Sequence, residues 1–154
     1  MQVDHSILVQ ITKDYMSRNI NKFLSIEANW TDLGENPWNV KNYLLELPRK
    51  WDFSFAIECK ESVVAYIIGS QESNQRAKVN KIVVDRGCRR KGFGKKLIYR
   101  FEKECSNSGV HEVELKALVK NASANKFYTR LGYQLTGSVE GSDAKMRNTF
   151  IKRL

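Results

Sequence analysis

The sequence has no apolar run approaching the roughly 18 residues that a membrane-crossing helix needs. Its first residues, MQVDHSILVQITKD, lack a basic stretch leading into an apolar core, so no signal peptide is expected and the location expected is cytoplasmic. The chain has 3 cysteines, Cys59, Cys88 and Cys105, an odd number with no CxxC spacing, which supports neither a disulfide framework nor a zinc site. It has 2 histidines, His5 and His111, both remote in sequence from any cysteine, and no metal is expected. The glycines do not form GxGxxG, and no GK[ST] follows them, which argues against a dinucleotide fingerprint and a Walker loop. No RNP, helix-turn-helix or zinc-finger pattern is present.

What is present is an excess of positive charge. The formal net charge is +9 over 154 residues, a length that fits a single domain spanning 1–154. Such a balance favours anionic partners without choosing among nucleic acid, acidic lipid and a phosphorylated small molecule. Much of the charge falls in AKVNKIVVDRGCRRKGFGKK, residues 77–96. Val79, Ile82, Val83 and Val84 make a β-branched strand. Phe93, Leu97, Ile98, Phe101 and Cys105 recur at helical spacing. Between and just after these lie Arg86, Arg89, Arg90, Lys91, Lys95 and Lys96. A helix N-terminus already carries about half a positive charge, so lysines placed there point to a bound anion. Gly92 and Gly94 let the backbone approach that anion and turn its free N–H groups toward a phosphate. The flanking arginines could lower the pKa of Cys88, but the residue reads as a bystander in the loop.

The rest of the chain reads as alternating strands and helices. His5–Ile11 is a strand and Lys13–Trp30 a helix carrying Met16, Ile20, Phe23, Leu24 and Ala28 on one stripe. Thr31–Pro37 is a break, Asn39–Leu47 a second helix closed by Pro48, and Phe53–Cys59 with Ser62–Ile68 a hairpin closed by Gly69. After the basic turn and its helix come a strand at Val110–Val119, a helix capped by Asn121 and stopped by Gly132, and strands at Tyr133–Val139 and Lys145–Lys152. The order β-α-α-β-β-β-α-β-α-β-β implies an α/β, mixed-sheet fold with helices on both faces.

Two segments carry a family resemblance. Arg89-Arg90-Lys91-Gly92-Phe93-Gly94 fits R/Q-x-x-G-x-G/A after a strand and at the opening of a helix. Asn121 to Tyr133, NASANKFYTRLGY, resembles N-x-x-A-x-x-[LF]-Y-x-x-x-G-[FY]. Together and in this order, they resemble the GCN5-related N-acetyltransferases. The resemblance implies a mostly antiparallel twisted sheet of about seven strands, split between the fourth and fifth. It implies acetyl-CoA as co-substrate, direct attack by a primary amine in a ternary complex, and as partners a small-molecule or peptide amine. It implies no membrane partner and leaves a homodimer open.

By the same resemblance, Ile82, Val83 and Val84 would line the pantetheine arm, with a backbone N–H near Val83 or Val84 polarising the thioester. Arg89, Arg90, Lys91, Gly92, Phe93, Gly94 and Lys95 would hold the pyrophosphate. Asn121 would bond the pantetheine arm, and Tyr128 would lie against the cofactor sulfur and protonate the thiolate. The chain departs from the family where a base is often found. Lys116 occupies a position where some members carry Glu, leaving Glu114 as the candidate base, with Glu58, Asp32 and Glu35 in reserve. Trp30 and Trp38 could line an acceptor pocket or serve as core residues. The competing readings are a sensor that binds acyl-CoA without chemistry and a basic nucleic-acid-binding module.

Overall fold

The computed structural model describes residues 5–28 and 34–154. Trp30 and Asp32 lie outside the described residues. Seven strands form one sheet in the order β1-β2-β3-β4-β5-β7-β6: β1 Ile7–Gln10, β2 Phe55–Cys59, β3 Ser62–Gln71, β4 Arg76–Val84, β5 Glu112–Leu118, β6 Gln134–Glu140 and β7 Met146–Arg153. Every neighbouring pair is antiparallel except β4 and β5, which run parallel. The parallel pair requires a crossover, and α4, Phe93–Asn107, supplies it.

Two helical layers sandwich the sheet, and each has its own core. On one face α4 and α5, Ala122–Arg130, bury Phe93, Leu97, Ile98, Phe101, Cys105 and Tyr128 against Ala65 and Ile67 of β3, and Val113, Leu115 and Ala117 of β5. Each such buried large apolar side chain contributes on the order of 1.5–3 kcal/mol. On the other face α1 (Lys13–Arg18), α2 (Ile20–Ala28) and α3 (Val40–Leu44) pack Met16, Phe23, Ile26 and Tyr43 against Tyr66 and Ile68 of β3 and Val83 of β4. The alternation of Ala65 and Ile67 with Tyr66 and Ile68 is the two-residue strand period that serves both layers at once.

The helix expected from Lys13 is two helices. Asn19 breaks it: its backbone leaves the helical region at φ −111 and ψ 14, and its Nδ2 donates to the Tyr15 carbonyl at 2.9 Å. An asparagine side chain that bonds the backbone locally offers the chain an alternative to the helical ladder. The helix expected to run from Asn39 to Leu47 stops at Leu44. Leu45 is extended, at φ −57 and ψ 130, and the ammonium of Lys50 takes the loose carbonyls of Tyr43 and Leu45, both at 2.7 Å. The hairpin strand β3 runs on through Gly69 to Gln71, because Gly69 serves packing and does not end the strand. A Cβ there would fall 2.2 Å from the Phe101 ring and 2.7 Å from the Phe53 carbonyl, so only glycine lets α4 lie this close.

Both helices on the α4/α5 face end on the same device. Gly109 and Gly132 adopt φ of 81 and 94, and the N–H two past each cap bonds back: Val110 to Cys105 at 2.9 Å, Tyr133 to Tyr128 at 3.1 Å. These stops launch β5 and β6 directly from the helices, which fixes where β5 meets β4.

Candidate active site

The site begins where β4 and β5 part. They pair only through Arg76↔Glu112, Ala77↔Val113 and Lys78↔Glu114. Each strand continues: β4 to Val84, held by β3 along its other edge, and β5 to Leu118, held by β7. Beyond Lys78 the facing edges of β4 and β5 are therefore free of one another and form a wedge. Ile82, Val83 and Val84 lie on the open edge of β4, and Val83 is buried on the α1–α3 face.

The chain leaves that edge through Asp85, whose N–H bonds the Val64 carbonyl at 2.7 Å, and a 3-10 turn at Arg86–Cys88. It enters α4 through two left-handed residues, Arg90 at φ 63 and Gly92 at φ 80. No side chain caps this helix, and its first internal bond is Lys96 N–H to the Gly92 carbonyl at 3.0 Å. The amides of Phe93, Gly94 and Lys95 thus point out of the helix end, as an anion site requires. The two glycines have different tasks. Gly92 supplies the left-handed turn. A Cβ on Gly94 would meet the Phe127 ring at 3.1 Å, so Gly94 lets α5 pack against the start of α4.

Across the wedge, Asn121 caps α5, its Oδ1 accepting from Ala124 N–H at 3.1 Å. Sequence reading missed Asn125, which locks this corner. Its Nδ2 donates to the carbonyls of Leu118 at 3.0 Å and Asn121 at 2.6 Å, and its Oδ1 accepts from Asn148 of β7 at 2.8 Å. Tyr128 follows, only 6 % exposed, ringed by Phe127, Tyr133 and Phe150. Burial, and then the charge of Glu35, push its phenol well above the ordinary tyrosine value, so it stays protonated.

Glu114 sits at the last rung before the strands part, on the sheet face opposite Leu115. It pairs with Arg76 at 3.3 Å, and Arg76 also holds Glu112. Burial, and then its hydrogen bond with Glu114, raise the pKa of Glu72. Glu58 lies on β2, two strands from β4, and accepts from the Tyr15 hydroxyl, so it is away from the wedge. Glu35 instead reaches β7, pairing with Arg147 at 2.6 Å. Arg147 also grips Asp143 at 2.8 Å, and Asn36 Nδ2 donates to Asp143 at 3.1 Å. Segment 34–36 is thereby tied to the β6–β7 turn on the face where Glu114 lies. Trp38 packs edge-on against Tyr43, with ring centroids 5.2 Å apart, and its ring also lies against the Lys81 ammonium. Burial, and then the charge of Asp85, raise the pKa of Cys88, in keeping with a bystander in the loop. Among the described residues no group of His, Cys, Asp and Glu could hold a metal ion, and no helix is long and apolar enough to cross a membrane.

A mostly antiparallel seven-stranded sheet that splits after three parallel rungs between its fourth and fifth strands matches what the resemblance implied. The sequence profile of the Acetyltransferase (GNAT) family matches residues 20–133. The chain belongs to this family. Among solved structures it is similar to Ard1 from Thermoplasma volcanium, with a TM-score of 0.83 and 24% identity over 97% of each chain. It is also similar to the ribosomal-protein-S18-alanine N-acetyltransferase from Escherichia coli, with a TM-score of 0.79 and 18% identity over 96% of this chain and 93% of that one. A third is Arabidopsis thaliana Naa50 in complex with the bisubstrate analogue CoA-Ac-MVNAL, with a TM-score of 0.73 and 19% identity over 96% and 97%. These likenesses show the GNAT fold. No curated protein matches the chain by sequence.

Proposed function

We propose that this GNAT protein is an acetyl-CoA-dependent N-acetyltransferase that moves the acetyl group directly to a primary amine. The observation that carries it is the open edge of β4 running into the uncapped N-terminus of α4. An extended free edge suits the amide-rich pantetheine arm, and three outward amides at a helix start suit a pyrophosphate. Arg89, Arg90, Lys91 and Lys95 add cationic side chains around that start. The chain's own groups then have definite tasks. A backbone N–H near Val83 or Val84 polarises the thioester carbonyl and stabilises the oxyanion. Asn121, its Oδ1 spent on the cap, has its Nδ2 left to bond the arm. Tyr128 donates to the departing thiolate, a task suited to a phenol kept protonated by burial. Of the two carboxylates on β5, Glu112 and Glu114, Glu114 stands at the rung where the strands part and is the candidate on that strand for the amine's proton.

The acceptor lies on the face away from α4 and α5, bounded by segment 34–36 and the β6–β7 turn. The Escherichia coli neighbour is named for a protein alanine, and the Arabidopsis one was solved with a peptide-bearing bisubstrate analogue. That supports the α-amine of a peptide or protein as acceptor ahead of a small amine. A cytoplasmic setting, where the three free thiols stay reduced, goes with this reading. A screen of peptides, polyamines, amino sugars and aminoglycosides with thiol-release detection tests it. Release with at least one amine is the expected result. Coenzyme A binding with no release from any amine would favour a sensor instead, and salt-dependent binding to random duplex with no coenzyme A binding would favour a nucleic-acid module.

A further inference from the structure

The α1–α3 core contains a charge pair where an apolar contact would be more stable. Glu27, at the end of α2, is 5 % exposed, and its Oε1 meets the ammonium of Lys81 on β4. Its Oε2 accepts from the Tyr43 hydroxyl of α3 at 2.6 Å, and the Tyr43 hydroxyl oxygen is in turn 2.5 Å from the Tyr66 hydroxyl of β3. The Lys81 ammonium also lies 4.7 Å from the centre of the Trp38 ring, and its side chain is only 12 % exposed. The charged and titratable groups facing Glu27 are therefore Lys81 from β4, Tyr43 from α3 and Tyr66 from β3.

The position of this cluster is specific. Lys81 lies beyond the last rung, Lys78↔Glu114, on the part of β4 whose edge is open, and shares a face with Val83. The cluster is on the opposite side of the sheet from the core that holds Tyr128. Acetyl transfer needs two proton sites, one for the amine and one for the thiolate, and a ternary complex keeps the two substrates apart until they meet. Glu114 sits at the last rung, where the strands are still bonded.

We infer that Glu27, held in place by Lys81 and Tyr43, takes the proton that the acceptor ammonium must lose. This rests on the acetyltransferase reading above. The ammonium gives one proton to the Glu27 carboxylate. The nitrogen lone pair forms the C–N bond to the thioester carbon, and the C–S bond breaks with its electron pair on sulfur. The thiolate takes the Tyr128 proton, the phenolate recovers one from the new amide nitrogen, and Glu27 releases its proton to water. The sum is ammonium plus thioester giving amide, thiol and one proton.

The test is the pH dependence of kcat/KM for the amine that turns over fastest in the thiol-release screen, at saturating acetyl-CoA. Wild type, Glu27→Gln, Lys81→Met and Glu114→Gln are compared. Glu27→Gln keeps the shape and the Tyr43 contact. It is expected to lower kcat at least tenfold and flatten the acid limb, leaving coenzyme A affinity within twofold. Lys81→Met removes the cation that contacts the Glu27 carboxylate and is expected to lower kcat as well, again with coenzyme A affinity within twofold. Far-ultraviolet circular dichroism reports whether each variant is folded, and if Lys81→Met is not, Glu27→Gln alone decides. An unchanged acid limb in folded Glu27→Gln, or its loss in Glu114→Gln instead, would overturn the assignment. Absence of thiol release from wild type would remove the acetyltransferase reading itself, a different failure from turnover with an unmoved limb.

Discussion

The two faces of the sheet are built on opposite terms. The α4/α5 face is mainly apolar and close-packed, with Phe101 beneath Gly69 and Phe127 against Gly94, and its Tyr133 and Lys152 meet a part-buried Glu102. The α1–α3 face holds a buried carboxylate, a lysine and two hydroxyl-bonded tyrosines at its centre. A face that sets a helix end against an invariant cofactor can be rigid and apolar. On the function proposed above, the second face is the one that meets the amine, and its buried polar groups are stable only when each is bonded. Among the described residues, no buried side-chain nitrogen or oxygen on either face lacks a partner.

The sharpest way to break this contrast is to unpair the polar face. Lys81→Met leaves Glu27 buried without its cation and should cost about 3–5 kcal/mol, read as a lowered midpoint in urea. Replacing both, Glu27→Leu with Lys81→Met, should recover most of that loss. A single replacement costing under about 1 kcal/mol would mean that the pair is effectively solvated. On the apolar face, Gly69→Ala forces a Cβ into Phe101 and the Phe53 carbonyl, and should cost about 1–3 kcal/mol by overpacking. An unchanged melting temperature would show that α4 can shift, and the close-packed description would fail.

Tyr128→Phe is the next step down. Loss of the phenol proton should lower kcat by roughly tenfold to a hundredfold, at the low end for general acids because a thiolate is a good leaving group. Coenzyme A affinity should stay within about twofold, and an unchanged kcat would remove Tyr128 from proton transfer.

The apolar face was the legible one. The stripe Phe93, Leu97, Ile98, Phe101 and Cys105, the two glycine stops and the basic turn are local patterns, and each was found where the sequence placed it. The α1–α3 face was poorly legible because its meaning is non-local. Glu27 reads as one polar position on an amphipathic helix until β4 brings Lys81 to it from 54 positions away in the numbering. The break at Asn19 and the early stop at Leu44 were hidden for the same reason. Asn19 is compatible with a continuous helix, and the stop depends on Lys50 reaching back to the carbonyls of α3. Gly94 was legible as a motif position, but its packing against Phe127 depends on a helix about 30 residues further along.

The smallest expected effect concerns Lys50, fully buried and pushed by burial down to about 8 from an ordinary 10.5. The unfolded lysine keeps its proton up to about 10.5 while the folded one sheds it near 8, so over that interval the unfolded state binds more protons. Stability should therefore rise with pH above about 8. The tyrosines act in the opposite sense. Tyr43, Tyr66, Tyr128 and Tyr133 are held protonated, chiefly by burial, so they oppose unfolding below about pH 10 and that contribution is lost as pH rises beyond it. A thermal melt series should show a shallow maximum between these limits, and Lys50→Met should abolish the rise on its acid side. A wild-type melting temperature that falls steadily from pH 8 upward would contradict the lysine assignment.

The proposed acceptor face has a task only if the open edge of β4 and the uncapped start of α4 hold a pyrophosphate-bearing arm. Thermal unfolding with and without coenzyme A tests that most directly. Ligand at about 100 times its dissociation constant stabilises by about 2.7 kcal/mol, which for a chain of this size is a rise of roughly 5–10 °C. The account predicts such a rise with coenzyme A and a smaller one with pantetheine, which lacks the pyrophosphate. No shift at millimolar coenzyme A, or an equal shift with pantetheine, would contradict it.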